Sequence, residues 1–315
     1  MENSCQELQG VIFDVQRYSV NDGPGIRTLI FIKGCPLRCE WCSNPEGLEV
    51  GSDIFTEPNK CIGCGHCLAA CAIGAISQTS EGFTIDREKC TRCGSCAEAC
   101  PSGSKTLVGK TMTVKEAVKT VKREMAFYKS SGGGLTLGGG ELLTQPVFAY
   151  GVLSGCKEEG ISTAIETSGL GKWEWLKKII SVTDTIHIDL KAVSPEKHRR
   201  FTGVDNALIL ENIQKIDQLL GKSEYAGKSF IIRMPIITGV NDSPEDAQKA
   251  ADFLSGLHNC SWVELLPFHN FGERKYLKLG KSYAFAGRPN GDAAALEPLC
   301  KTLTSRGVSV KIGKI

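Results

Sequence analysis

Three runs of cysteine constrain this chain more than any other feature. Eleven of its fifteen cysteines fall between Cys35 and Cys100. The count is odd, the clustering is tight, and the opening Met1-Glu2-Asn3-Ser4-Cys5-Gln6 lacks the charged and apolar regions of a signal peptide. These facts disfavour a disulfide framework and favour metal binding. Cys5, Cys156, Cys260 and Cys300 are scattered and read as plain thiols.

The second and third runs are Cys61-x2-Cys64-x2-Cys67-x3-Cys71 and Cys90-x2-Cys93-x2-Cys96-x3-Cys100-Pro101. This is the bacterial two-cluster ferredoxin spacing, in which the fourth cysteine of each run ligates the other cluster. One [4Fe-4S] cluster is then expected on Cys61, Cys64, Cys67 and Cys100. The other is expected on Cys90, Cys93, Cys96 and Cys71. A pair of zinc sites is the alternative for eight such cysteines. Ala72 stands where a proline is common, a minor departure.

The first run, Cys35-x3-Cys39-x2-Cys42, holds only three cysteines. Three thiolates can hold three irons of a cube and leave the fourth open to a small molecule. A partial zinc site, or an electron-transfer cluster with a remote fourth cysteine, fits the spacing too. The run follows a strand-like stretch, Arg27-Thr28-Leu29-Ile30-Phe31-Ile32, at the edge where catalytic groups gather in barrels.

Along the chain, Gly10 to Val15 reads as a first strand, and Asp22-Gly23-Pro24-Gly25 as a turn before the second. Residues 51–110 are cysteine-rich, punctuated by glycine and without long amphipathic helices, so they read as a compact insert. Thr113-x-x-Glu116 is a capping box. Val114, Val118, Val121 and Met125 continue it as one helix ending at Ser131-Gly132-Gly133-Gly134. Strand-like runs follow at Leu135 to Leu137, Thr163 to Ile165, Thr185 to Leu190, Phe230 to Ile237 and Trp262 to Leu266. Helix-like runs lie between them, two opened by Ser194-Pro195-Glu196 and Ser243-Pro244-Glu245. Alternation of this kind predicts an α/β chain with a parallel sheet of about six strand–helix units, a partial or complete barrel over residues 1–50 and 111–315.

The chain has 315 residues, 41% of them hydrophobic, and a formal net charge of +2. That balance argues against nucleic-acid or anionic-membrane binding. No apolar run approaches the ~20 residues of a membrane span. The expected location is the cytoplasm, with microcompartment association as a variant, and the expected state is monomeric.

Cys35-x3-Cys39-x2-Cys42 with Trp41 and Asn44 resembles the radical S-adenosylmethionine (SAM) superfamily. Asp22-Gly23-Pro24-Gly25-Ile26-Arg27-Thr28 and the eight-cysteine insert narrow the resemblance to the glycyl-radical-enzyme activating enzymes of the ferredoxin-insert type. It covers essentially the whole chain. It implies a (β/α)6 barrel, three [4Fe-4S] clusters and SAM chelated by the open iron. One-electron cleavage of SAM would give methionine and a 5′-deoxyadenosyl radical, which takes a Cα hydrogen from a glycine of a partner enzyme. No side-chain base is required for that step. Reduced flavodoxin or ferredoxin is the implied electron source.

The resemblance also implies SAM contacts at Trp41, Cys42, Ser43, Gly140, Glu141, Asp189, Leu190, Lys191, Arg233 and His269. Gly138 and Leu142 depart from the family pattern, where Ser and Pro are frequent. In some relatives the positions of Glu166 and Asp189 help hold a monovalent cation. Asp189 and Lys191 alternate with apolar residues and are expected to point the same way. His198, Thr202-Gly203 and Asn206 read as a positioning segment, with His198 itself solvated on a charged helix. Leu135 to Glu141 and Lys275-Tyr276 are similar to activators of choline trimethylamine-lyase and diol dehydratases. Activators of isethionate lyase and 4-hydroxyphenylacetate decarboxylase are further alternatives. So are a radical SAM enzyme acting on a small molecule, and a ferredoxin fused to an inert barrel.

Overall fold

The computed structural model describes residues 6–80 and 82–313, so Cys5 lies outside the described residues. The chain opens with β1 (Gln9–Ser19) and β2 (Arg27–Ile32), which pair antiparallel. Next come β3 (Asp53–Thr56), β4 (Ile76–Thr79), β5 (Gly82–Ile85) and β6 (Lys105–Val108). These make two small antiparallel ladders, β3 with β6 and β4 with β5. The helices among them, His66–Ala69 and Ser95–Glu98, are one turn each. Residues 51–110 thus lack long helices, as their composition predicts.

β7 (Lys110–Thr113) brings the chain back against β1. The long strands follow: β8 (Gly134–Gly139), β9 (Ser162–Thr167), β10 (Thr185–Asp189), β11 (Ser229–Ile236), β12 (Trp262–Pro267) and β13 (Val310–Ile312). Among the described residues they form one nine-stranded sheet in the order β13-β12-β11-β10-β9-β8-β2-β1-β7. β2 and β8 to β13 all run parallel. The fold is therefore α/β with a central, mostly parallel sheet.

β2 and β8 to β12 are the six strands read from the apolar runs, displaced by at most two residues at an end. β13 and β7 were not anticipated. Both are short edge strands: β7 has one apolar residue in four, whereas β13 alternates Val310 and Ile312 about Lys311, a brief strand signal that went unread. β1 also runs four residues further than expected, through Arg17 and Tyr18.

The capping box at Thr113 is present. The single helix expected after it is instead two, Val114–Lys122 and Met125–Ser131. Glu124, at φ −99° and ψ 16°, breaks the run. The bend lets Tyr128 bury its ring and donate to Thr28 Oγ1 at 2.6 Å. Ser194 and Ser243 cap their helices as the Ser-Pro-Glu signature predicts.

The core lies between sheet and helices. Ile30, Ile32, Leu135, Leu137, Ile165, Ile186, Ile188, Ile232 and Leu265 are fully buried in one apolar cluster with the helix faces. Each contributes roughly 1.5–3 kcal/mol by burial. That rigid sheet positions the loops at its carboxyl-terminal edge. Among the described residues no helix is long and apolar enough to cross a membrane.

Candidate active site

The loop after β2 carries Cys35, Cys39 and Cys42, and two straps fix it. One is the end of β8. Gly140 N–H donates to Ile32 O at 2.8 Å, and Glu141 N–H donates to Gly34 O at 2.7 Å. Only glycine fits there. A Cβ on Gly140 would stand 2.4 Å from Gly34 O, and Gly139 holds φ +106°. The other strap is the helix Pro195–Thr202. Arg38 N–H donates to Thr202 O at 2.7 Å and Glu40 N–H to Phe201 O at 3.0 Å.

His198, expected to be solvated, is 1% exposed. Its Nδ1 lies 2.8 Å from Val204 O and 3.0 Å from Thr202 Oγ1. The charged neighbours on the helix misled the reading, because His198 turns inward with Thr202 while Glu196, Arg199 and Arg200 stay exposed. Asn206 Nδ2 donates to Ala192 O and Val193 O. The segment positions the cysteine loop, as expected.

The three thiols are partly buried and close enough to perturb one another. Burial pushes Cys35 and Cys39 up to about 12. It raises Cys42 as well. Neighbouring thiolates add to the rise for Cys35 and Cys39, and the Glu46 charge adds to it for Cys42. Such a group ionises only when a cation joins it, which is what iron supplies. Lys191 stands beside Cys39 and Cys42. Burial works against its ammonium, but Asp189 and the two thiolates hold its pKa above the ordinary lysine value. Its Nζ lies 2.8 Å from Asp189 Oδ2, so the two side chains do point the same way.

The other expected SAM residues divide into open and engaged groups. Trp41 is buried, edge-on to Phe285 at 6.3 Å. Ser43 is half-buried in the same loop. His269 stacks on Phe271 at 4.4 Å, and its buried Nδ1 has no partner among the described residues. Burial lowers its pKa, and Lys275 adds to that. Leu190 is buried in the main core, so only its backbone faces the edge.

Glu141 is fully buried and engaged. Its Oε1 accepts from Thr167 Oγ1 at 2.6 Å and Leu143 N at 3.1 Å. Its Oε2 accepts from Ser168 N at 2.8 Å and Ser168 Oγ at 2.5 Å. Arg233 is engaged by Glu166, by Glu264 at 3.0 Å and by Asn21 O at 3.2 Å. Burial pushes the Glu166 carboxyl up to about 7 against the pull of Arg233, with Asp22 and Asp189 adding to the rise.

Sequence reasoning missed part of this rim. Lys275 Nζ bridges Glu46 Oε1 at 2.7 Å and Asn44 Oδ1 at 2.8 Å. Glu46 Oε2 and the Tyr283 hydroxyl are buried without partners among the described residues. Tyr276 stacks near Tyr283 at 4.8 Å, both within reach of the Cys42 charge. Glu46 follows Asn44-Pro45 directly and was findable. Tyr283 carries no sequence signal.

In the insert, Cys71, Cys90, Cys93 and Cys96 line one cavity of about 240 Å³ with Ile54, Ile76 and Ile85. Cys71 belongs to the other run, so the chain reversal has carried it across. Cys67 feels the charges of Cys61 and Cys100, the complementary crossing. Cys64 stands exposed on the same loop. Backbone N–H groups already face sulfur: Ala75 to Cys71 at 3.2 Å, and Arg92 to Cys90 and Lys105 to Cys100 at 3.4 Å. Among the described residues no three Cys, His, Asp or Glu side chains converge on a single metal ion. A cube takes each thiolate on a different iron and asks for no such convergence.

A parallel sheet whose carboxyl edge holds three close thiols is the setting for a three-cysteine cluster, and residues 29–254 match the Radical SAM superfamily. The choline trimethylamine-lyase activating enzyme of Oleidesulfovibrio alaskensis is 40% identical over 298 residues, 92% of this chain and 94% of that one. The isethionate sulfite-lyase activating enzyme of the same organism is 39% identical over 282 residues, 88% and 89% of the two chains. The benzylsuccinate synthase activating enzyme of Thauera aromatica is 40% identical over 315 residues, 97% and 93%. The chain belongs to the radical SAM superfamily and, within it, to the glycyl-radical-enzyme activating enzymes.

Proposed function

We propose that this chain activates a partner glycyl radical enzyme, with one [4Fe-4S] cluster on Cys35, Cys39 and Cys42 as the SAM site. The observation that carries the reading is the strapped loop of three partly buried, mutually close thiols at the edge of the parallel sheet, with Lys191 beside them. Bound together, such a cluster and SAM supply one chemistry: one-electron cleavage of a sulfonium S–C bond, giving methionine and a 5′-deoxyadenosyl radical that takes a glycine Cα hydrogen. The chain's own residues bind and orient. Gly140 offers backbone where no side chain fits. Trp41, Ser43 and the free Nδ1 of His269 face the site. Asp189 and Lys191 supply charge for the amino-acid end of SAM, while the Leu190 backbone and the engaged Glu141 and Arg233 act as braces.

A monovalent cation would have to compete with Arg233 for Glu166 and with Lys191 for Asp189. On our reading those two side chains take its place. We infer that residues 1–50 and 111–315 form the partial (β/α)6 barrel and residues 51–110 a ferredoxin-like insert. The insert would hold two further cubes, on Cys61, Cys64, Cys67 and Cys100, and on Cys90, Cys93, Cys96 and Cys71. The cavity shared by Cys71 and the third run supports that crossing. A flavodoxin or ferredoxin in the cytoplasm would supply electrons to a monomeric chain.

The three relatives are named for different partners at 39–40% identity, so overall similarity does not choose among them. Choline trimethylamine-lyase is the first partner to test, because Leu135 to Glu141 and Lys275-Tyr276 are similar to its activators. Anaerobic reconstitution should give about twelve irons per chain, against about eight for a bare two-cluster protein. Reduction with SAM and the partner should give methionine, 5′-deoxyadenosine and a glycyl doublet by EPR. SAM cleavage with no doublet from any candidate partner would remove the activating role.

A further inference from the structure

Among the described residues Lys105 is a buried cation without a counter-ion. It opens β6, pairs with Thr56 of β3, and is 2% exposed. Its ammonium donates one hydrogen bond, to Phe83 O at 2.9 Å. An ammonium has three donors, so two remain. Three described carboxylates of the insert are occupied elsewhere: Asp53 by Arg87, Glu57 by Lys60 and Lys278, Asp86 by Lys89. Glu88 and Glu98 are exposed. Among the described residues nothing pairs with Lys105.

Its surroundings are apolar. Phe83, which holds it, packs with Ile54, Ile76, Cys67 and Cys96 in one buried cluster. Cys67 belongs to the second run and Cys96 to the third, so the ammonium sits between the two. Burial raises the pKa of both thiols, and the Lys105 charge opposes that rise at each. An ammonium removed from water without a partner costs several kcal/mol. The two sets of thiolates are the negative charge within its reach.

We propose that Lys105 is the counter-cation shared by the two insert clusters and that it raises their reduction potentials. The inference rests on the reading that the insert holds two cubes. A cube on four thiolates is anionic in both oxidation states. Each takes one electron from an external low-potential donor of the flavodoxin or ferredoxin class, with no bond made or broken and no proton moved. Reduction adds one negative charge, and a fixed cation beside it favours the reduced form.

The test uses the full chain with Cys35, Cys39 and Cys42 replaced by alanine, so that only insert clusters are read. EPR-monitored redox titration is compared for Lys105, Lys105→Met and Lys105→Arg, with iron and sulfide counted in each. Methionine keeps length and removes charge. The expected result is about eight irons in all three. Lys105→Met should lower the reduction equilibrium at least tenfold, about 59 mV for one electron, and Lys105→Arg should stay near the parent. Loss of clusters in Lys105→Met but not Lys105→Arg would support the same role. Full iron with unmoved potentials in Lys105→Met, or cluster loss in both variants, would overturn it. A parent protein whose insert binds no iron would instead sink the reading of the insert.

Discussion

Glu141→Gln tests whether the strap at the end of β8 is held by a charge-assisted brace. Each carboxylate oxygen accepts one backbone N–H and one hydroxyl: Leu143 N and Thr167 Oγ1 at Oε1, Ser168 N and Ser168 Oγ at Oε2. A glutamine presents one oxygen and one NH2. A hydroxyl can rotate and accept from that NH2, but a backbone N–H cannot. Either orientation of the amide therefore leaves one buried N–H facing a donor. The expected cost is about 1–3 kcal/mol, or a fall in melting temperature of roughly 2–4 °C per kcal/mol. Glu141→Ala strands both backbone N–H groups and empties a buried volume, so it should cost more. Anaerobic denaturant titration of the cluster-loaded protein measures both. If Glu141→Gln matches the parent in midpoint and slope, the carboxylate is not holding the loop.

Gly140→Ala puts a methyl group 2.4 Å from Gly34 O and should displace the cysteine loop, seen as loss of about four irons per chain with the insert clusters kept. Cys71→Ser should perturb the EPR signal of the cluster on Cys90, Cys93 and Cys96 and spare the one sharing Cys61 and Cys67; the reverse pattern would refute the crossing. Glu166 is raised to about 7 from an ordinary 4.5, so it gains a proton on folding. Its contribution is full below pH 4.5 and is lost as pH rises through about 7, with a slope of at most about 1.4 kcal/mol per pH unit. Glu166→Gln should flatten stability across that window, measured by unfolding midpoints at several pH values.

The parts of the molecule legible in the sequence are those where one residue type does a job alone. Thiolates at fixed spacing announce clusters, and apolar runs announce buried strands. Gly139 and Gly140 announce a close backbone approach. What was hidden depends on pairs distant in the chain. Nothing around Ser168 says that it caps Glu141, 27 positions earlier. His198 reads as solvated because four of its neighbours are charged, yet it turns inward with Thr202 and meets Val204 O. The edge strand β7 is ordered by its ladder with β1, which its mostly polar sequence does not encode. Lys105 reads as an ordinary surface lysine until the fold places it among Phe83, Cys67 and Cys96.

Gly138 and Glu166 illustrate the same point inside the site. Each departs from the family pattern: a glycine where serine is frequent, and a longer acid near the expected cation. Separately they look like two weakened features. In the structure a Cβ at position 138 would stand 2.9 Å from Glu166 Oε2 and 3.1 Å from its Cβ. The missing side chain on β8 is the room that Glu166 on β9 occupies. From there Glu166 reaches Arg233 on β11, which also holds Glu264 on β12. One guanidinium thus ties β9, across β10, and β12 to β11 at the edge that carries the cysteine loop, and the room for Glu166 exists because β8 gives up its side chain. A buried acid stays there only with such a partner. The two departures are therefore one coupled exchange, in which the absent side chain at position 138 makes the room that lets Glu166 meet Arg233.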